Sequence, residues 1–207
     1  VVVTGGTLSA ISGTGATRTA TFTPDANTNG GTASITVTAA SYTDMAGNAG
    51  GAGTTPSLSF DTLGPSTTAS GFAFSADNGA SAIDLVTNQA AQTISGTLSA
   101  ALVAGESVEV SLDNGSTWAM AAATVGSSTW SLAGQTLAVS DTLQARVRDA
   151  AGNTGASTSK AYVLDVTAPT FNPTTGSAPA DDASAVPVSG SLVLSFSEAL
   201  ASLDSTK

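Results

Sequence analysis

The feature that most constrains this chain is an internal repeat with a period of about 104 residues. The segment Asp44–Asn48 (DMAGN) returns 105 residues later as Asp149–Asn153 (DAAGN). The segment Asp61–Pro65 (DTLGP) returns 104 residues later as Asp165–Pro169 (DVTAP). Two landmarks that recur in the same order with nearly the same offset predict a modular chain, built from units of one size.

A third landmark divides the chain into units. Asp77 returns as Asp181, again 104 residues further on and again preceded by Ala. The landmarks predict one complete domain over residues 66–168. Residues 1–64 carry only C-terminal landmarks and are expected to be the C-terminal part of a domain, whereas residues 170–207 are expected to be the N-terminal part of the next one.

The segments between the landmarks have the two-residue periodicity of half-buried β-strands. Apolar side chains alternate with Ser, Thr, Gln, Glu or Arg, and helical spacing is nearly absent. The tight-turn sequence Asp113–Gly115 follows one such run, since Asn and Gly tolerate the positive φ of hairpin turns. The alternating apolar positions are Ala20 and Phe22; Ile35 and Val37; Val108, Val110 and Leu112; Leu143, Ala145 and Val147; and Leu192, Leu194 and Phe196.

Short strands, frequent turn signals and a repeat of this length predict an all-β fold. We expect tandem immunoglobulin-like β-sandwiches in an elongated array. Pro65 and Pro169 close the two linkers, where proline stiffens the chain.

Composition argues against several classes of function. The chain has no Cys and no His, and it carries 15 Asp and Glu against 5 Lys and Arg, a formal net charge of −10. Without Cys or His, the commonest general base, thiol nucleophile and zinc ligands are missing, so we do not expect an enzyme. The negative charge would repel phosphate backbones, so nucleic acid is not an expected partner. No apolar stretch has the roughly 20 residues of a membrane span, so no membrane insertion is expected.

Each predicted junction carries three aspartates, spaced 16 or 17 residues apart. A connecting loop, the exit of the last strand and the first loop of the next domain can meet at one pole of a sandwich. Two unit charges about 4 Å apart repel by about 4 kcal/mol in a partly screened site, so converging carboxylates need a cation. Oxygen ligands suit Ca²⁺ better than zinc or copper. The predicted calcium ligands are Asp44, Asn48, Asp61, Asp77, Asp149, Asn153, Asp165 and Asp181.

The same Asp-x-Ala-Gly-Asn motif has a simpler interpretation. Asp and Asn side chains often bind their own backbone in turns, and Gly supplies a positive φ. The turn and the calcium site are compatible with each other, and both interpretations stay open at this point.

Several of these motifs together resemble a known family. The Asp-x-Ala-Gly-Asn and Asp-x-x-x-Pro motifs, with Ile94–Leu98 (ISGTL) and Val110–Trp118 (VSLDNGSTW), are similar to the bacterial immunoglobulin-like repeats of giant type I secreted (RTX-type) adhesins and biofilm surface proteins. Residues 170–207, in which Pro187–Gly190 (PVSG) leads into Leu194–Glu198 (LSFSE), resemble a second subtype, and residues 1–64 resemble the remainder of that subtype.

The resemblance implies a function that the residues alone do not. Such modules are commonly extenders of Gram-negative surface fibres, exported by type I secretion, with Ca²⁺ at the domain junctions. Carried over here, the junction aspartates are the implied ligands. Gly64 stands where the family often has Ala or Thr, which weakens the first linker slightly. The resemblance does not name an adhesive ligand.

We therefore expect a non-enzymatic, extracellular or cell-surface spacer that serves adhesion or biofilm formation. Its expected partners are neighbouring repeats of the same chain, or neighbouring copies end to end. One alternative is a self-assembling sheath, filament or surface-layer subunit. A second is a module that itself binds a glycan or another surface, although the few aromatic residues mostly fall at core positions.

The two terminal segments are expected to be complementary. The chain starts without an initiator Met or a signal-peptide pattern and looks like an excised piece of a longer polypeptide. Residues 1–65 and 170–207 together span 103 positions, against 104 for residues 66–169. Joined in the order 170–207 then 1–65, they would make one further sandwich, completed either covalently or by a neighbouring copy.

Overall fold

A computed structural model gives the fold of this chain and describes residues 1–172, 193–200 and 203. In this part of the chain no helix is long and apolar enough to cross a membrane. The strands are β1 (Val2–Thr4), β2 (Gly6–Leu8), β3 (Phe22–Pro24), β4 (Gly31–Val37), β5 (Gly53–Thr54), β6 (Leu58–Phe60), β7 (Ala69–Phe74), β8 (Val86–Thr87), β9 (Ala91–Leu98), β10 (Ser107–Ser111), β11 (Ala119–Met120), β12 (Ala122–Ala123), β13 (Thr129–Thr136), β14 (Asp141–Arg148) and β15 (Thr158–Leu164).

The predicted all-β, immunoglobulin-like fold is confirmed. Strands β7 to β15 form two sheets, which we call the central unit together with their loops (residues 66–168). One sheet has the order β11-β10-β14-β15-β8 and the other β12-β13-β9-β7. All neighbours are antiparallel except β15 and β8, which run parallel. Two such sheets stacked on a shared apolar layer make a β-sandwich.

The period-2 pattern places one face of each central strand in the core. On β14, Leu143, Ala145 and Val147 are fully buried, while the residues between them reach the surface. The predicted turn after β10 is also confirmed, because Asn114 and Gly115 have φ values of 54° and 88°. Only residues that tolerate a left-handed backbone fit this turn without strain.

The main core belongs entirely to the central unit, between Ala69 and Tyr162. Trp130 lies in it with its ring edge-to-face against Phe72, 6.0 Å between centroids. The Tyr162 hydroxyl donates a hydrogen bond to the Leu112 carbonyl oxygen at 2.9 Å, which ties β15 to the end of β10. Each fully buried aliphatic side chain contributes about 1.5–3 kcal/mol to folding.

Residues 1–64, which we call the N-terminal unit, have a much thinner core. Strand β4 pairs with β1, β5 and β6, while β2 and β3 form a separate hairpin. Ala33 is the single buried hydrophobic residue of this unit. Large apolar side chains such as Leu58 and Tyr42 are more than half exposed.

The C-terminal segment (residues 170–207) is described only in part. Phe171 and Phe196 form an antiparallel β-bridge, and their rings meet edge-to-face at 5.6 Å. The predicted ligand Asp181, the Pro187–Gly190 motif and the start of the predicted strand at Leu192 lie outside the described residues.

Candidate functional site

Both copies of the Asp-x-Ala-Gly-Asn motif fold into the same turn. The Asp44 Oδ1 atom accepts a hydrogen bond from the Asn48 backbone N–H at 2.8 Å, and its Oδ2 atom accepts one from the Asn48 side-chain amide at 2.8 Å. In the second copy, Asn153 makes the same two bonds to Asp149, at 2.8 and 2.9 Å. The turn interpretation of the motif is therefore confirmed.

These bonds stabilise the charged form of both aspartates. The side-chain hydrogen bond from Asn48 is the largest cause that lowers the pKa of Asp44. The side-chain hydrogen bond from Asn153 does the same for the pKa of Asp149. Both carboxylates are consequently ionised at neutral pH, as a cation site requires.

The second turn also contacts the linker that enters the central unit. The Asn153 side-chain amide donates to the Asp61 backbone oxygen at 3.2 Å. Gly64 lies so close to this turn that an added Cβ would stand 2.6 Å from the Thr154 carbonyl oxygen. Gly64 departs from the Ala or Thr that the family often has before this proline. Here a glycine is required, because a Cβ would overlap the Thr154 carbonyl oxygen.

A cavity of about 410 Å³ opens beside this contact. Its wall includes the carboxylates Asp61, Glu106 and Asp149 together with Asn29, and no Lys or Arg is among its lining residues. The donors are all oxygens, which is the ligand chemistry of Ca²⁺. In the described part of the chain, however, no three acidic side chains stand close enough together to hold a metal ion. The chemistry of these oxygen donors fits calcium, but the acidic side chains stand farther apart than the ligands of one bound ion.

Asp61 and Glu106 are both held by local backbone contacts. The Asp61 Oδ1 atom accepts from the Leu63 N–H at 3.0 Å. The Glu106 Oε2 atom accepts from the Val103 N–H at 3.2 Å. Sequence reasoning missed Glu106, because the repeat comparison starts from landmarks present in both units and Glu106 is not one of them.

The other predicted ligands lie elsewhere. Asp77 accepts from the Leu85 N–H at 3.0 Å through Oδ2, and its Oδ1 atom is buried without a hydrogen-bond partner. Asp165 donates its backbone N–H to the Thr87 oxygen at 2.9 Å, so it lies beside the same stretch as Asp77. Asp44 and Asn48 bind each other within an exposed turn. The calcium assignment of the whole set stays a prediction.

The two tryptophans have different surroundings. Trp130 lies in the core and is 3% exposed. Trp118 is only partly buried and does not belong to the core cluster. The Arg146 guanidinium stacks over its ring, 3.8 Å from the centroid. Arg146 also pairs with Glu109 at 2.8 Å. This aromatic face is covered by an internal cation–π contact rather than presented for sugar stacking.

These features define a class of protein: an all-β chain whose central unit is an immunoglobulin-like β-sandwich, entered through a short linker that contains Asp61. A comparison with protein families gives a more specific finding, because residues 1–62 match the family model of a bacterial Ig-like domain. No curated protein matches the chain. Domains of this kind are typically non-catalytic repeat modules of surface proteins and often occur in extracellular proteins.

Proposed function

We propose that this chain is an extender repeat of a large bacterial cell-surface or secreted adhesin fibre, which serves adhesion or biofilm formation. The observation that carries the proposal is the contact between Asn153 and Asp61, beside a cavity lined with three acids. A linker fixed against the next module transmits length and direction, which is what a spacer must do. The repeat itself supports a series of such junctions.

We further propose that Ca²⁺ stiffens this junction. When bound, the ion would offset the repulsion between the carboxylates of Asp61, Glu106 and Asp149. Asn153 keeps Asp149 oriented, and its bond to the Asp61 carbonyl holds the linker near the turn. A ligand that binds only the docked arrangement stabilises that arrangement.

Small-angle scattering with calcium and then with chelator tests the junction. We expect the wild-type chain to lose extension and gain flexibility when calcium is removed. Glu106→Gln should lose this response, because it removes one cavity carboxylate while keeping the side-chain shape. Asp44→Asn is the matched control, since Asp44 lies in the equivalent turn of the N-terminal unit and does not line the cavity.

Scattering profiles and melting curves that are identical with calcium and with chelator would contradict the calcium proposal. A response that Glu106→Gln retains and Asp44→Asn loses would place the ion at the first turn rather than at the junction.

A further inference from the structure

The chain contains three Asn-Gly dipeptides, which are Asn29–Gly30, Asn78–Gly79 and Asn114–Gly115. In such a pair, the glycine backbone nitrogen can attack the Cγ atom of the asparagine side chain, because glycine has no side chain to hinder the approach. The new N–Cγ bond closes a five-membered imide, the Cγ–Nδ2 bond breaks, and ammonia leaves with the proton of the glycine nitrogen. Water then opens the ring to aspartate or isoaspartate, so a neutral amide is replaced by a carboxylate.

The structure restrains Asn114–Gly115 at both reacting groups. The Gly115 N–H donates to the Ser111 hydroxyl oxygen at 2.8 Å, and the Asn114 Oδ1 atom accepts from the Gln144 side-chain amide at 2.7 Å. The attacking nitrogen and the amide that it would attack are therefore both held within the hairpin turn. Ring closure must first break these two bonds.

Asn78–Gly79 is restrained in the same way. The Gly79 N–H donates to the Val86 carbonyl oxygen at 3.0 Å. The Asn78 side-chain amide donates to the Asn88 Oδ1 atom at 2.7 Å, and its Oδ1 atom accepts from the Asn88 N–H at 3.1 Å. Both reacting groups are again held by hydrogen bonds.

Asn29–Gly30 has a different environment. Both residues are exposed, and a Cβ added at Gly30 would have no atom beyond its chain neighbours within 4 Å. Among the described residues, no hydrogen bond holds the Asn29 side chain or the Gly30 N–H. The nitrogen and the amide are thus free to approach each other, and they are open to the water that completes the reaction.

The residue before this dipeptide is anchored to the linker. The Thr28 N–H donates to the Thr62 hydroxyl oxygen at 3.1 Å, and the Thr62 N–H donates to the Thr28 carbonyl oxygen at 2.9 Å. Thr62 follows Asp61 in the chain, and Asn29 lines the acidic cavity beside Asp61. Deamidation of Asn29 therefore places its new charge at the junction.

A carboxylate at position 29 would change the balance of charge across this cavity. At present Asp61 of the N-terminal unit stands with Glu106 and Asp149 of the central unit, and no Lys or Arg is among the lining residues. Like charges that face each other repel, and a divalent cation between them offsets the repulsion. The modified chain should therefore dock less firmly without a cation and bind a cation more tightly.

We propose that Asn29 is a site of spontaneous deamidation, and that its new carboxylate makes the junction bind calcium more tightly. The modification depends only on the loop that contains Asn29 and Gly30. The effect on calcium rests on the proposed function of the junction, so the two are measured separately.

Peptide mapping by mass spectrometry tests the modification. The folded wild-type chain is incubated at mildly alkaline pH, which favours loss of the proton from the glycine nitrogen, and samples are digested at intervals. The peptide that contains Asn29 should gain aspartate and isoaspartate severalfold faster than the peptides that contain Asn78 and Asn114. In urea, where the hydrogen bonds of the fold are lost, the three peptides should react at similar rates.

Ser111→Ala is the matched variant, because it removes the acceptor of the Gly115 N–H. It should speed the reaction at Asn114 and leave the rates at Asn29 and Asn78 unchanged, and the unchanged rate at Asn78 shows that the fold is retained. Equal rates at all three sites in the folded wild-type chain overturn the proposal. An Asn29 that reacts no faster than Asn114 also overturns it.

Small-angle scattering during a calcium titration tests the effect on the junction. Asn29→Asp carries the product carboxylate from the start, whereas Asn29→Gln keeps a neutral amide. The midpoint of the calcium response should shift to lower calcium concentration in Asn29→Asp and stay at the wild-type value in Asn29→Gln. A response with the same midpoint in both variants overturns the effect of position 29 on calcium. A wild type and variants that do not respond at all overturn the calcium proposal together with this effect, whereas the mapping result stands by itself.

Discussion

The side-chain amide of Asn153 donates a hydrogen bond to the backbone oxygen of Asp61, 3.2 Å away and 92 residues earlier in the chain. The same amide group binds Asp149 within its own turn at 2.9 Å. One side chain therefore shapes the turn and fixes the linker. Among the described residues, the side-chain amide of its counterpart Asn48 binds only Asp44, within the turn.

We predict that Asn153→Ala loosens the junction. The bond to Asp61 contributes about 1 kcal/mol, as a typical neutral hydrogen bond does, and its loss frees the linker from the turn. Residual dipolar couplings should show a broader range of orientations between residues 1–64 and 66–168. Asn48→Ala removes the equivalent amide, which makes no bond between the units. This variant should therefore leave the range of orientations between the two units unchanged. Equal effects of both variants would show that Asn153 acts only within its turn.

Gly64→Ala should disturb the same linker by steric overlap. The new methyl group would meet the Thr154 carbonyl at 2.6 Å, so linker or turn must shift. Overpacking of this kind costs about 1–3 kcal/mol. Thermal unfolding should show a lower midpoint for the central unit. Gly51→Ala is the control, because nothing lies within 4 Å of its added Cβ, and a similar loss of stability there would refute the steric argument.

The strands were predictable from sequence because their cause is local. Burial of one face forces apolar residues to every second position, and Leu143, Ala145 and Val147 show that pattern in the sequence alone. The turn at Asn114 was predictable for a similar reason, since its positive φ restricts the residue type.

The junction was less predictable because it depends on tertiary placement. The acceptor at Asp61 is a backbone oxygen, which every residue has, so no residue type marks it. Glu106 lines the cavity from the loop before β10, a loop that is distant in sequence from the repeated motifs. The equal spacing of the repeated aspartates predicted that Asp77 would lie near Asp61. In the structure, Asp77 and Asp165 instead both contact the segment around Leu85 and Thr87.

The core of the central unit should be far more sensitive than its surface. Leu143 is fully buried between the sheets, so Leu143→Ala should lower the free energy of unfolding by about 2–5 kcal/mol through lost burial and a residual cavity. Urea unfolding followed by tryptophan fluorescence measures this, since both tryptophans lie in the central unit. Val139→Ala is the control at a 63% exposed position and should change stability by less than about 0.5 kcal/mol. Comparable losses from both variants would show that Leu143 is not a core residue.

The hairpin turn after β10 should give the central unit a measurable acid sensitivity. Asp113 accepts hydrogen bonds from the Thr117 hydroxyl at 2.6 Å and the Thr117 N–H at 2.8 Å, and a further one from the Ser111 hydroxyl. These bonds, the Thr117 hydroxyl first, lower the pKa of Asp113 from 3.8 to about 2.

A carboxyl group whose pKa is lower in the folded state stabilises the fold above its unfolded pKa. The Asp113 contribution should therefore be complete well above the unfolded pKa of 3.8 and be lost as the pH falls through the folded pKa of about 2. Asp113→Asn should be less stable than wild type at pH 7, and the difference between the two unfolding free energies should shrink as the pH falls from 7 towards the folded pKa of about 2. Thr117→Val should raise the pKa of Asp113 and reduce the pH dependence in the same window, whereas Ser116→Ala, next to it but without a side-chain bond to Asp113, should not. A difference between wild type and Asp113→Asn that stays constant from pH 7 to pH 2 would show that the carboxylate charge does not stabilise this turn.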